Sequence, residues 1–311
     1  MTKSANPYVE NSTSLEPSDI SAIAKFVVEK LFRPKSKKKV SIFLCGADIR
    51  DTKTARARMA ALFAEYSRYE VHYPEDLFDD LLSGQAQHSL LSLENLLADS
   101  VDAVVILPES PGSLVELGAF ANNIQLAGKI VCVTSHKFRH SKSFINLGPH
   151  RLIRSTATGK VIHVDYAELS NPIKKHEIYR AIDSVVTQIR KHKPAPQGIA
   201  NILEAEAFVL SCIYINDHID NITLYRLLQV ATSKEMVLYE IAVKSALGRL
   251  MAKRLAMRTP RGYLVTPTGA THVQNSFKRD VLDRARVEML NKKNRKNSRV
   301  SYDRLVRGAR L

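Results

Sequence analysis

At 311 residues, 45% hydrophobic and 25% charged, the chain is long enough for two ordinary domains and has the composition of a folded globular protein. No run approaches the roughly 18 apolar residues of a membrane span, and the polar start carries no signal-peptide core, so a soluble, cytoplasmic setting is expected. The net charge of +15 is concentrated at one end: residues 244–311 hold 18 Lys and Arg against 4 Asp and Glu, which leaves the remainder within one charge of neutral. Such a footprint points to a phosphate-backbone partner.

Residues 1–17 are polar and aperiodic and read as an arm. Ser18 is the expected cap of a short amphipathic helix carrying Ile20, Ile23, Ala24, Val27, Val28 and Leu31, followed by the basic linker Lys35–Lys39. Residues 1–39 are therefore set apart as an N-terminal piece. From Val40 the pattern is βαβ. Val40–Gly46 is a continuous apolar run ending at glycine, as a strand buried on both faces requires. A helix is predicted over Thr54–Ser67, a strand at Glu70–Tyr73, a helix at His88–Ala98 and a strand at Ala103–Leu107. A helix at Ser113–Ala127, a strand at Ile130–Thr134, a basic loop at His136–Arg154, a strand at Val161–Val164 and a helix at His176–Lys191 complete the series. This alternation predicts an α/β domain over residues 40–195 with a doubly wound parallel sheet, closed by a linker at Lys193–Gly198. Cys45, Cys132 and Cys212 are far apart, with no CxxC and no nearby histidine cluster; buried reduced thiols and no metal site are expected.

Ligands of such sheets bind at the strand carboxyl ends. Two loops there are candidates for a nucleotide. Gly46-Ala47-Asp48-Ile49-Arg50 follows the first strand, with Gly46, Ala47, Asp48 and Arg50 as candidate contacts. Pro108–Gly118 follows the third and opens into a helix whose free N–H groups suit phosphate or ribose oxygens, with Ser110, Gly112 and Ser113 as candidates. By itself Glu116 reads as the third residue of a capping box on Ser113.

The glycine-ended first strand, Asp102 before the third strand, and the run Pro111-Gly112-Ser113-Leu114-Val115-Glu116-Leu117-Gly118 ahead of a Gly-Lys strand together resemble the nucleoside 2-deoxyribosyltransferase family over residues 40–135. The resemblance implies that Glu116 is a nucleophile attacking the anomeric carbon of a nucleoside, and that Glu94 handles the base or leaving group. It breaks at one position, since Ser110 stands where the transferases carry an aspartate six residues before the nucleophile. That departure points away from base exchange and toward cleavage of an N-glycosidic bond, with NAD, whose leaving group is already cationic, as substrate rather than cofactor.

After the linker, helices are predicted at Ile199–Ile215 and Asn221–Val230, and a Thr232–Glu235 capping box opens a long helix toward Met257. Short strands around a Pro/Gly turn at Arg258–Val265 stop at Thr266–Gly269. This order resembles a winged helix-turn-helix over residues 196–311, with Lys244, Arg249, Lys253, Arg254, Arg258 and Arg261 as candidate phosphate contacts. The pair of domains resembles the deoxyribosyltransferase-like effectors of bacterial retrons, which implies an anti-phage toxin assembled into an oligomeric complex with a reverse transcriptase and its branched DNA–RNA, with no membrane involved. A deoxyribosyltransferase that binds nucleic acid and a non-catalytic nucleotide sensor remain as other readings.

Overall fold

The computed structural model describes residues 16–31, 39–75, 89–199, 201–232, 236–276 and 279–291. They fall into two compact units, one drawn from residues 34–203 and the other combining residues 1–33 with residues 204–311. The described residues begin with α1 (Pro17–Phe26) and a π turn (Val27–Leu31), both in the second unit. Ser18 lies inside α1 and does not cap it. Glu16 holds that position, because Pro17 has its backbone angle preset for the first helical residue and has no N–H to satisfy.

The first unit runs β1 (Val40–Cys45), α2 (Ala55–Ala64), β2 (Tyr69–His72), α3 (Leu90–Ser100), β3 (Ala103–Ile106), α4 (Pro111–Asn122), α5 (Ile124–Ala127) and β4 (Ile130–Ser135). A 3-10 turn (His136–Phe138), α6 (Phe144–Leu147), α7 (Pro149–Ser155), β5 (Lys160–Val164), a second 3-10 turn (Tyr166–Ser170) and α8 (Lys174–His192) follow. The five strands form one parallel sheet in the order β2-β1-β3-β4-β5, giving a mixed α/β architecture. β1 and β3 are buried at every position, which is why their sequences run apolar without alternation. On one side of the sheet α8 contributes Ile178, Ile182, Val186 and Ile189, at helical spacing, to a core shared with Met59, Leu62 and Phe63 of α2. At about 1.5–3 kcal/mol each, those four α8 side chains alone stabilise the unit by roughly 6–12 kcal/mol.

Polar contacts lock the sheet's entry. Asp102 is 2% exposed, and its carboxylate accepts from the Ser41 N–H (2.9 Å) and the Ser41 hydroxyl (3.0 Å), tying β3 to β1. It also accepts from the Ala195 N–H, and the Asn201 side-chain amide donates to the Ser100 carbonyl at 2.7 Å. The segment expected as a linker is thus packed on the α/β unit, and the helix expected from Ile199 starts only at Ala205. Residues 136–154, expected as a loop, instead form the 3-10 turn, α6 and most of α7. All three cysteines are buried and free.

The second unit continues with α9 (Ala205–Ile215), α10 (Asn221–Thr232), α11 (Met236–Ala252), β6 (Ala256–Thr259), β7 (Gly262–Val265) and α12 (Pro267–Ser276), and ends in a helix at 279–291. α9 is buried nearly all round, the mark of a central helix. α1 packs on α10, so the N-terminal helix is part of this unit and not a separate arm. β6 and β7 pair as an antiparallel hairpin, and Ile219 bridges to Tyr263 of β7. Gly262 has a φ of +128°, and a Cβ there would meet the Ile219 carbonyl at 2.6 Å, so the hairpin turn requires glycine. The expected long helix stops at Ala252, because Arg254 turns left-handed (φ 56°) to start the hairpin, and Thr266–Gly269 opens α12. Thr232 is the last residue of α10 and its hydroxyl donates back to the Leu228 carbonyl; the other residues of the expected capping box, 233–235, lie outside the described residues.

Candidate functional site

Neighbouring parallel strands whose connections leave in opposite directions open a crevice at their carboxyl ends. Here that place lies between β1 and β3, and it holds a pocket of about 150 Å³. Cys45 and Gly46 come from the end of β1, Arg56 from the first turn of α2, and Pro74 and Glu75 from just beyond β2. Leu90 and Glu94 come from α3 and Glu116 from the second turn of α4.

Arg56 organises the floor. It is 3% exposed and spends its guanidinium on four acceptors: the Leu44 carbonyl from Nε (3.1 Å), the Ala47 carbonyl from Nη1 (3.1 Å), and both Glu75 carboxylate oxygens (2.8 and 2.9 Å). The fork-on-fork geometry fixes Glu75 and satisfies a charge that burial would otherwise penalise. The start of α2 is held independently by Glu109, whose carboxylate accepts from the Ala55 and Arg56 N–H groups at 2.7 and 2.8 Å. Gly46 is needed for this packing: a Cβ there would sit 2.7 Å from Arg56 Cβ.

The two other carboxyls are both raised above the ordinary carboxylate range. Burial, then the charge of Glu116 and then that of Glu75, push Glu94 up to about 8. Glu94 is 3% exposed and is one of the buried residues of α3, with Leu93, Leu97 and Ala98. Burial also raises Glu116, opposed by the positive charge of Arg56 and by a hydrogen bond from the Cys45 thiol. Oε2 of Glu116 is buried with no hydrogen-bond partner among the described residues. Burial and the charges of Glu116 and Glu94 hold the Cys45 thiol well above its ordinary value, which favours its neutral, hydrogen-bond-donating form. Among the described residues no cluster of His, Cys, Asp and Glu is arranged to hold a metal ion. The pocket therefore sets Glu94, which keeps its proton at neutral pH, beside Glu116, whose charged form Arg56 and the Cys45 thiol favour; an acid beside a carboxylate is the pairing needed to attack one atom and protonate another.

Of the candidate residues, Glu116, Glu94 and Gly46 meet in this pocket; Ala47, Asp48, Arg50, Ser110, Gly112 and Ser113 do not line it. The Ala47 carbonyl serves Arg56. Asp48 and Arg50 face solvent, with the Arg50 guanidinium chelating the Asp48 carboxylate at 2.9 and 3.0 Å. Ser110, not Ser113, caps α4: the Ser110 hydroxyl accepts from the Ser113 N–H and the Ser113 hydroxyl accepts from the Ser110 N–H. The helix starts two residues earlier than expected because Pro111 suits its first position, which makes Glu116 a second-turn residue and removes it from the capping box. Arg56 and Glu75 were not among the candidates. Arg56 and Arg58 look alike in the sequence, and nothing in the spacing says which one is buried.

The basic residues of the second unit divide similarly. Arg249 and Lys253 both reach Glu206 of α9, at 3.0 and 2.7 Å; with the Arg249 and Glu206 side chains only 12% and 18% exposed, this is an internal ion triad. Lys244 pairs with Glu240 on the same helix. These three have acidic partners inside the unit, and Lys253 stays 56% exposed. Arg254, Arg258 and Arg261 are exposed on and beside the hairpin. Residues 292–311, which hold much of the terminal charge, lie outside the described residues.

Comparison with known proteins places these features. The model of a family described as STM3845 retron effector protein matches residues 48–256. An Escherichia coli protein of retron Ec86, whose name joins ribosyltransferase and DNA-binding, is 41% identical over 274 residues, covering 86% of this chain and 89% of its own. The similarly named Escherichia coli protein of retron Ec73 is 31% identical over 161 residues, 50% of this chain and 51% of its own. No helix among the described residues is long and apolar enough to cross a membrane.

Proposed function

The chain belongs to the STM3845 retron effector family, and on that premise we propose that its first unit cleaves the N-glycosidic bond of a nucleotide, NAD foremost, with Glu116 as nucleophile. The second unit we read as a winged helix-turn-helix through which the protein is held with a reverse transcriptase and its branched DNA–RNA, as a toxin of anti-phage defence. The strand order β2-β1-β3-β4-β5 is that of a doubly wound sheet, whose ligands sit at the β1/β3 switch point where the pocket lies. The α9–α12 region, with its hairpin and the Ile219 bridge, supports the winged-helix reading.

The observation that carries the enzymatic reading is the meeting of Glu94 and Glu116, 22 positions apart in sequence, with opposed protonation roles. A Glu116 carboxylate oxygen forms a bond to the anomeric carbon while the bond to the base nitrogen breaks and its electron pair leaves with the base. A neutral base takes the proton of Glu94; nicotinamide leaves without one. Water then attacks the glycosyl ester at the anomeric carbon and Glu116 is released. The water's proton goes to the Glu94 carboxylate where Glu94 has protonated a neutral base, and to the departing Glu116 carboxylate where nicotinamide has left and Glu94 still holds its proton. The Cys45 thiol and Arg56 stabilise negative charge on Glu116 before attack and after release.

The relatives' names speak of transfer, and a second nucleotide or base in place of water would give that outcome from the same ester. One experiment separates the readings. The purified protein is incubated, with and without reverse transcriptase and branched DNA–RNA, with NAD or with a deoxynucleoside and a free base, and the products are resolved by chromatography. Release of nicotinamide with no base exchange supports hydrolysis; rapid exchange supports transfer. A folded Glu116→Gln variant that turns over at the parent rate removes Glu116 from the mechanism.

A further inference from the structure

The near-neutral charge of residues 40–195 hides an uneven distribution. Between Glu116 and Asp165 there is no Asp or Glu, but there are seven Lys and Arg. Five of them, Lys137, Arg139, Lys142, Arg151 and Arg154, lie in the stretch between β4 and β5, and all five are exposed. None of the five forms an ion pair with another described residue, unlike Arg249 and Lys253 of the second unit.

Apolar side chains stand among these cations. Phe144 is 84% exposed and Phe138 58%, in a unit whose other described phenylalanines, Phe43, Phe63 and Phe120, are buried. The segment that carries them is pinned. The Asn146 side-chain amide donates to the Phe138 and Ser141 carbonyls, both at 2.7 Å, and Asn146 Oδ1 lies 2.7 Å from His150 Nδ1. His150 is 1% exposed, with Nε2 3.5 Å from Cys132 Sγ in β4. The rings are therefore displayed on an anchored surface. His163 of β5 stands 6.4 Å from the His150 ring and 6.2 Å from the His136 ring, and its Nε2 is buried without a partner among the described residues.

We propose that this face of the α/β unit, formed by the segment between β4 and β5, binds single-stranded nucleic acid, with bases stacking on Phe138 and Phe144 and phosphates neutralised by the surrounding Lys and Arg. Aromatic rings set in a cationic surface are the elements of sequence-tolerant single-strand binding, and a duplex would offer those rings no free base faces. A protein partner fits less well, because the cores of protein interfaces are depleted of charged residues, Lys included, whereas here the two rings share one exposed segment with Lys137, Arg139 and Lys142. The face follows the carboxyl end of β4, and α7 packs on α4, the helix that bears Glu116. The proposal rests on the nucleic-acid part of the function above and extends it to a unit whose net charge gave no sign of it.

The test is fluorescence anisotropy of the full chain with a labelled oligothymidylate and with a duplex of equal length, over a series of salt concentrations. Phe138→Ala with Phe144→Ala is expected to weaken oligothymidylate binding about tenfold or more for each stacked base, with the salt slope unchanged and the duplex unaffected. Arg139→Gln with Lys142→Gln is expected to lower the slope of log affinity against log salt by about 1.4, at about 0.7 per phosphate on a single strand. Arg258→Glu with Arg261→Glu, run beside them, reports on the hairpin of the second unit. If the first two variants bind as the parent does and only the hairpin variant fails, nucleic acid is held by the second unit alone and the proposal is overturned. A parent that binds no oligothymidylate overturns it too, as does retained binding with loss of self-association in light scattering, which would make the face a protein contact.

Discussion

Replacing Glu94 by Gln should make the α/β unit more stable, and increasingly so as pH rises. The Glu94 carboxyl titrates at about 8 in place of the ordinary 4.5, through burial and then the charge of Glu116. At about 1.4 kcal/mol per pH unit, that interval corresponds to about 5 kcal/mol. The folded chain keeps a proton that the unfolded chain releases. Stability tied to that proton is therefore intact below about 4.5 and lost as pH climbs through about 8. Glutamine keeps the shape and has nothing to ionise. Glu94→Gln should match the parent near pH 4.5, exceed it by about 3 kcal/mol at pH 7, and exceed it by as much as about 5 kcal/mol above pH 8, a ceiling that water entry and relaxation reduce. Pulse proteolysis in urea, read on peptides from residues 40–135, follows this unit alone; with a denaturant slope of about 1–3 kcal/mol/M, the midpoint should move by about 1 M or more at pH 9. Glu116→Gln removes the second cause of the raised value and should shrink the pH-dependent part. A constant offset between Glu94→Gln and the parent from pH 5 to 9 would refute the reasoning.

Gly46→Ala forces Cβ to within 2.7 Å of Arg56 Cβ and should cost about 1–3 kcal/mol, whereas Gly112→Ala, with nothing within 4 Å and a helix around it, should leave stability unchanged or raise it by about 0.5–1 kcal/mol; thermal unfolding ranks the two. Arg56→Lys keeps the charge but loses the fork that serves Glu75 and two carbonyls, and should lower stability by about 3 kcal/mol in urea. In the second unit Glu206 is depressed: burial works against ionisation, but the contacts of Lys253 and Arg249 outweigh it. Its contribution is present above about 4.5 and lost as pH falls through the depressed value, so Glu206→Gln should cost about 1–3 kcal/mol at pH 7 and abolish that part of the acid sensitivity. Thermal scans at pH 7 and pH 4 test this, with Arg258→Glu as the exposed control that leaves the midpoint in place.

The strands at Val40, Ala103 and Ile130 could be read from sequence because burial on both faces leaves an unbroken apolar run, and α8 because its apolar residues recur once per turn. Glu116 stands out as a candidate by the motif around it, and the basic C-terminal end by counting charge. The tertiary structure alone decided that Arg56 is buried on Glu75 while Arg58 is not, that Glu94 shares a pocket with Glu116, and that Glu206 takes up Arg249 and Lys253. It alone showed that Phe138 and Phe144 face outward, and that α1 joins a unit beginning again at residue 204. The reason is physical. Periodicity reports which side of one element is apolar, and so it predicts elements. The partner of a charged side chain, and hence its protonation and its availability to a ligand, depends on which distant element packs against it, and a free and a captured arginine have the same sequence signature.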